Sequence, residues 1–396
     1  MPESGTQLKS VPNIGRGPHR VKAQSLRTVP WAFSCCLTAK GNRFQNPVWR
    51  AGDPGGTVVT DEPVVTVTIK DVARLAGVSP ASVSRALADP RQVRPGTRER
   101  VHRAAAALGY HPNQAARALT TGRTRTIGLV VPDITNPIFS TIFQAVQGRA
   151  RQSGYSVLLV DTGEDPATEV DLVRTLARQV DGFLLCSPRA AQEDLDPFLR
   201  ATAVVTINHR GRRVPCVTSD NTDGARQAAE HLLALGHRRL AYVAGPAASS
   251  DNRERLRGLR TAVAAAGAEL TDFTAVSPTY DGGTAAADLV LATSATAVIA
   301  FNDVIALGLL NRFTARGIGV PQQISLVGFD DIPFAAMTNP PLTSVAVAKQ
   351  QIGRTAVDFL LDLLDGRQRS GGSRLMLPTH LIVRGSTGAA PATFAD

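Results

Sequence analysis

TIKDVARLAGVSPASVSRALADPRQVRPGTRERVHRAAAALGYHPNQAARAL, residues 68–119, decides how the 396-residue chain is read. Thr68 suits the cap of a first helix, on which Ile69, Val72, Ala73 and Ala76 share one face. Gly77 ends it, because a tight helix-to-helix turn needs a residue that tolerates positive φ. Ser79 caps a second helix, and Pro80 takes its first turn, where a missing N–H costs nothing. Val83, Ala86 and Leu87 are predicted to point inward, leaving Ser82, Ser84 and Arg85 outward. A third helix is predicted from about Pro95, burying Val101, Ala105 and Leu108 and stopping at Gly109. Two short helices joined through a glycine form the helix-turn-helix pattern, whose second helix enters the major groove of DNA.

Charge supports this reading. Between residues 66 and 124 ten bases face three acids, and residues 1–65 hold eight bases and four acids. The chain as a whole is +10, so everything after residue 124 is close to neutral. Basicity confined to one module is what phosphate binding requires.

Residues 126–385 alternate apolar strand-like runs with alanine-rich amphipathic segments. Strands are predicted at Thr126–Val131, Ser156–Asp161, Gly182–Cys186, Ala203–Ile207, Cys216–Ser219, Arg239–Ala244, Ala297–Phe301 and Ser325–Phe329. Such alternation implies parallel sheets covered by helices. The segment is longer than a typical single domain, so two lobes with a cleft between them are expected. One would take residues 126–220 with a return near 346–373, the other 221–345 with a last strand near 376–385. Ligands of open α/β sheets sit beyond the carboxyl ends of the strands. Asp133, Asn136 and Phe139 follow the first strand, Asn208 the fourth, Asn302 and Asp303 the seventh, and Asp330 and Asp331 the eighth. Carboxylates and amides beside an aromatic wall suit a polyol such as a sugar. Simpler roles compete: Asp303 and Asn136 as helix caps, Phe139 as plain core, Asp331 facing solvent.

The motifs TIKDVARLAGVS, VSRAL, GYHPNQAARAL, IGLVVPDITNPIFS, LGHRRLAYVAG, AFND and SLVGFDD, spread over residues 68–385, together resemble the LacI family of bacterial transcription regulators. The resemblance implies an α/β protein with a three-helix helix-turn-helix head at 66–111 and a hinge helix and linker at 112–124. A two-lobed, periplasmic-binding-protein-like sensor with parallel sheets follows at 125–385. It implies base reading by Pro80, Ala81 and Arg85, the last suited to bidentate contact with guanine. Thr68, Ser79, Ser82, Ser84, Asn113 and Ala116 complete the implied DNA-contacting set, although each serine can equally be spent on its own helix. Leu119 matches the family's residue that wedges into the minor groove and kinks the duplex. Arg255, in SSDNRERLRGL, resembles the family's effector-contacting arginine, against the simpler role of a surface ion pair among Arg253, Arg257 and Arg260. The expected effector set is then Asp133, Phe139, Asn208, Arg255, Asn302 and Asp330.

The implied partners are double-stranded operator DNA, a small sugar-like effector and a second copy of the chain, with no cofactor, metal or membrane. A corepressor-dependent regulator responding to a nucleobase or nucleoside is the alternative, and a stand-alone sugar-binding protein a more distant one. No GxxxxGK[ST], HExxH or GxSxG motif is present, and His231 and His237 stand alone, so an enzyme is not expected. Cys35, Cys36, Cys186 and Cys216 fit neither a zinc site nor a disulfide framework, consistent with a reduced cytoplasm. No apolar run reaches the ~18 residues of a membrane span. Residues 1–65 lack periodicity and read as a disordered extension or a misplaced start; VPWAFSCCLTA is a poor signal-peptide core. The end, GSTGAAPATFAD, has no leucine heptads; residues 386–396 are expected to be a disordered tail, and the assembly a homodimer.

Overall fold

Thr68, Gly77 and Ser79 punctuate the head as their chemistry requires. In the computed structural model, which describes residues 67–88, 93–110, 122–209, 214–274, 276–367 and 373–391, helix α1 runs Ile69–Ala76, α2 Pro80–Ala88 and α3 Pro95–Ala107. The Thr68 hydroxyl donates to Asp71 Oδ2 at 2.7 Å, and the Thr68 amide donates to the same oxygen at 3.0 Å. Gly77 closes α1 at φ +64°. Ser79 Oγ accepts the Ser82 amide at 3.2 Å, capping α2. Val72, Val83 and Val101 are fully buried and, with five alanines, form the head's own core. Leu87 and Leu108, predicted inside, pack at its margin and stay partly exposed.

The eight predicted strands form where they were placed, with ends shifted by one residue at β6 (Arg239–Val243), β8 (Ala297–Ala300) and β9 (Ser325–Asp330). The others are β1 (Thr126–Val131), β2 (Ser156–Asp161), β3 (Gly182–Cys186), β4 (Ala203–Ile207) and β5 (Cys216–Ser219). The last strand expected near 376–385 is β12 (His380–Ile382), and three more are present: β7 (Glu269–Phe273), β10 (Thr343–Ala346) and β11 (Arg374–Leu377). The first sheet, ordered β11-β5-β4-β3-β1-β2, is wholly parallel. The second, ordered β12-β10-β9-β8-β6-β7, is parallel except where β12 pairs antiparallel with β10.

Helices α4 (Pro137–Gln152), α5 (Pro166–Leu176) and α6 (Gln192–Ala201) connect strands of the first sheet. Helices α7 (Asn221–Ala234), α8 (Ser250–Ala265), α9 (Tyr280–Leu291) and α10 (Asp303–Ala315) serve the second. After β10 the chain returns: α11 (Lys349–Leu364) packs on α4, β3 and β4, and β11 joins the first sheet. The first-sheet unit thus extends past residue 373, to Leu377. Helices α9 and α10 touch backbone to backbone. A Cβ added at Gly283 would lie 2.1 Å from Ile305 O, and one at Gly308 2.1 Å from Tyr280 O.

The tail departs from expectation. Residues 386–391 are ordered against the second sheet instead of disordered, because they satisfy its backbone groups. The Leu326 amide donates to Ser386 O at 2.8 Å, Ser386 Oγ donates to Leu326 O at 2.6 Å, and the Ala390 amide donates to Leu235 O at 2.9 Å. His237, fully buried, meets Thr296 Oγ1 at 2.9 Å and both Ser325 Oγ and Gly388 O at 3.1 Å. His231 meets Thr387 Oγ1 at 2.9 Å. Both histidines are therefore structural. Residues 1–66 and 392–396 lie outside the described residues. Among the described ones, no helix is long and apolar enough to cross a membrane, and no group of three or more side chains could hold a metal ion.

Candidate functional site

Two surfaces collect the predicted site residues. On the head, burying Val83 and Ala86 turns Pro80, Ala81, Ser84 and Arg85 to the exposed side of α2. Arg85 makes no ion pair among the described residues, so its guanidinium is available. Ser79 and Ser82 bond each other, Oγ to Oγ at 3.0 Å, and Thr68 is spent on Asp71. Their first role is therefore capping. Asn113, Ala116 and Leu119 lie outside the described residues.

The second surface is a cleft between the carboxyl ends of the two sheets. All six predicted effector residues line it: Asp133, Phe139 and Asn208 after strands of the first sheet, and Arg255, Asn302 and Asp330 on the second. They were separated in sequence and are brought together because parallel strands end on the same side.

Arg255 is the centre of the second half. It is 3% exposed, donating from Nε to Asn221 Oδ1 at 2.9 Å, from Nη1 to Phe301 O, and from Nη2 to Asp330 Oδ1 at 3.2 Å. Its guanidinium also lies 3.6 Å from the Phe329 ring centre. It is a buried, pre-oriented cation and not a surface ion pair. Asp330 turns its backbone to φ +99° and is followed by Asp331 at +49°. Such conformations are costly for non-glycine residues and concentrate at ligand clamps and switches. Lys349 Nζ secures the turn by donating to Asp330 O and, at 2.8 Å, to Asp331 O. Burial pushes the Asp330 carboxyl up to about 6, against the opposing pull of Arg255 and Lys349.

The remaining predicted residues are partly occupied. Asn208, at φ +53°, accepts the Ser219 amide at 3.1 Å through Oδ1. Asn302 caps α10, accepting the Ile305 amide at 2.8 Å, and donates to Pro278 O at 3.2 Å. Asn136 caps α4 and accepts the Ile138 amide at 3.2 Å. Asp133 accepts the Thr135 amide and hydroxyl at 2.8 and 2.6 Å. Phe139 and Phe301 supply apolar walls. Asp303 turns away from the cleft and accepts Ile332 N at 2.8 Å and Ser344 Oγ at 2.6 Å. Asp331 pairs with Arg384 at 2.7 Å instead of facing open solvent.

Glu164, Ser187, Arg189 and Asp251 also line the cleft and escaped sequence reading. Ser187 follows β3 directly, so the strand-end rule already pointed to it. Asp251 stands in the first turn of α8, where an acid is common for its effect on the helix dipole alone.

Comparison with known proteins fits this pair of surfaces. Residues 68–113 match the model for bacterial regulatory proteins of the lacI family, and residues 229–387 the periplasmic binding protein-like domain. The HTH-type transcriptional repressor CytR of Escherichia coli K12 is 37% identical over 343 residues, 82% of this chain and 97% of that protein. The chain belongs to the LacI family. It is a DNA-binding transcriptional regulator. Among solved structures, the lac repressor dimer bound to operator and an anti-inducer superposes with a TM-score of 0.72 at 30% identity, covering 82% of this chain and 99% of that one. The complex of the transcriptional regulator CelR with cellobiose gives 0.60 at 34% identity, covering 81% and 99%.

Proposed function

We propose that this LacI-family regulator is a repressor of carbohydrate-utilisation genes, bound as a homodimer to a pseudo-palindromic operator and switched by a small sugar-like effector. The observation that carries the reading is the buried Arg255 network, which presents fixed donors and acceptors beside phenyl walls where the two sheets meet. The relatives support it: one solved regulator is held with cellobiose, and another with operator as a dimer. The chain acts by binding DNA and ligand, not by catalysis, and works in the cytoplasm, where its operator lies.

A ligand regulates only if it favours one lobe arrangement over another. One contacting both sheets would change their angle. That in turn would change the spacing of the two hinge segments, residues 112–119, in the dimer. In this mechanism Leu119 wedges the duplex open, and Arg85 reads a guanine from the major groove.

A thermal-shift screen of the full chain against neutral sugars and nucleosides tests the effector class. A ligand at 100 times its Kd stabilises by about 2.7 kcal/mol, readily visible as a raised Tm. Stabilisation by nucleosides alone would replace the sugar reading with the corepressor-type alternative. The reading face has its own test in Arg85→Ala. It is expected to lose about 1–3 kcal/mol of operator preference while nonspecific binding persists. Unaltered selectivity in competition binding would remove Arg85 from base readout.

A further inference from the structure

Both guanidiniums that line the cleft are already matched by carboxylates. Arg189 holds Glu164 through Nε at 2.5 Å and Nη2 at 3.0 Å, and its Nη1 donates to Ser187 O at 2.6 Å. Arg255 is matched by Asp330 at 3.2 Å. Two further carboxylates line the same space without an ion-pair partner among the described residues. Asp133 accepts from Thr135, and Asp251 accepts from Ser187 Oγ at 3.1 Å and Asn221 Nδ2 at 2.9 Å. No lysine lines the cleft. His209 nearby, bonded to Ser250 Oγ at 3.0 Å, is kept toward its neutral form by burial. Burial also raises the carboxyls of Asp251 and Asp330. If both took up protons, the lining would become neutral and still not positive.

Asp251 is placed to use this imbalance. It is 5% exposed, stands on the second-sheet unit, and reaches across to Ser187 on the first. A ligand hydroxyl or ammonium can take the Oδ2 acceptor in place of Ser187 and so enter the contact that joins the lobes. A phosphate or carboxylate there meets the Asp251 carboxylate, while the two guanidiniums that act on it, Arg189 and Arg255, are already held by Glu164 and Asp330. We infer that the cleft selects uncharged or cationic polyhydroxy ligands and rejects their phosphorylated or acidic forms, with Asp251 as the selecting residue. This inference rests on the sugar-sensor reading.

Isothermal titration of the full chain with matched pairs tests it: D-ribose and ribose 5-phosphate, D-glucose and glucose 6-phosphate, uridine and its 5′-monophosphate, with glucosamine as the cationic member. In any pair that binds, the anionic form is expected to be weaker by about 100-fold or more, since like charges at an interface are strongly disfavoured. Asp251→Asn, of the same shape, should narrow that gap by about tenfold or more, and Asp251→Ser likewise, with the neutral ligand less affected than the ratio. A phosphorylated sugar that matches or exceeds its neutral parent overturns the inference and leaves the sugar reading standing. So does a ratio unmoved in both folded variants. If no member of any sugar pair binds, the sugar reading fails and the inference falls with it.

Discussion

Arg255→Met is expected to abolish effector binding and to destabilise the second-sheet unit, while the head keeps its affinity for DNA. Methionine preserves the apolar stem over Phe329 but removes every donor. Asn221, the carbonyl of Phe301 and the Asp330 carboxylate each lose their partner at once. Leaving one half of a buried ion pair uncompensated costs about 3–5 kcal/mol. The loss should depend on pH. Asp330, pushed up to about 6, is mostly protonated at pH 5 and then needs no cation. Urea unfolding should therefore show a clear deficit at pH 7.5 that shrinks at pH 5. A variant that still titrates with the wild-type ligand, or loses equal stability at both pH values, would remove Arg255 from the centre of the site.

The second large effect concerns Asp303. Its carboxyl is fully buried and is pushed up to about 8, first by burial and then by the negative charge of Asp330. Among the described residues, no cation offsets it. It fits because Gly328 has no side chain: a Cβ there would lie 2.0 Å from Asp303 Oδ1. A carboxyl raised above its ordinary 3.8 binds its proton more tightly in the folded state. Its contribution is complete below about pH 4 and is lost as pH rises through 8. Above that, the ionised folded form bears a penalty on the order of 5 kcal/mol. Asp303→Asn keeps an acceptor for the Ile332 amide and offers a donor to Ser344 Oγ. The difference in unfolding free energy between variant and wild type should therefore grow in the variant's favour from pH 5 to pH 8. Parallel stability profiles across that range would show that Asp303 carries no such burden.

What the sequence disclosed follows from how each feature is encoded. IGLVV and GFLLC are continuous apolar runs because their strands are covered on both faces, so β1 and β3 were plain. ELTDF, at the edge of the second sheet, is half polar for the same physical reason and was passed over as β7. The tail looked featureless because its role is to satisfy backbone groups of Leu326 and Leu235, which needs no side-chain pattern. In the cleft, the strand-end rule found Asp133, Asn208, Asn302 and Asp330. It could not say that Asn302 is already bonded as a helix cap, since cap and ligand contact use the same amide. Asp251 was missed because its significance depends on Ser187, 64 residues earlier and on the other sheet. Resemblance, not spacing, singled out Arg255. The structure adds why an arginine stands there, nearly buried between a carboxylate and a phenyl ring at the edge of the cleft.

A ligand in the cleft should change the hold on DNA. The direct measurement is an operator titration by fluorescence anisotropy at one fixed salt concentration, with and without a saturating neutral sugar identified by the thermal screen. A change in operator Kd of about 5–150-fold, the usual span of allosteric coupling, is expected. A sugar that binds the cleft tightly and leaves operator affinity unchanged would contradict it.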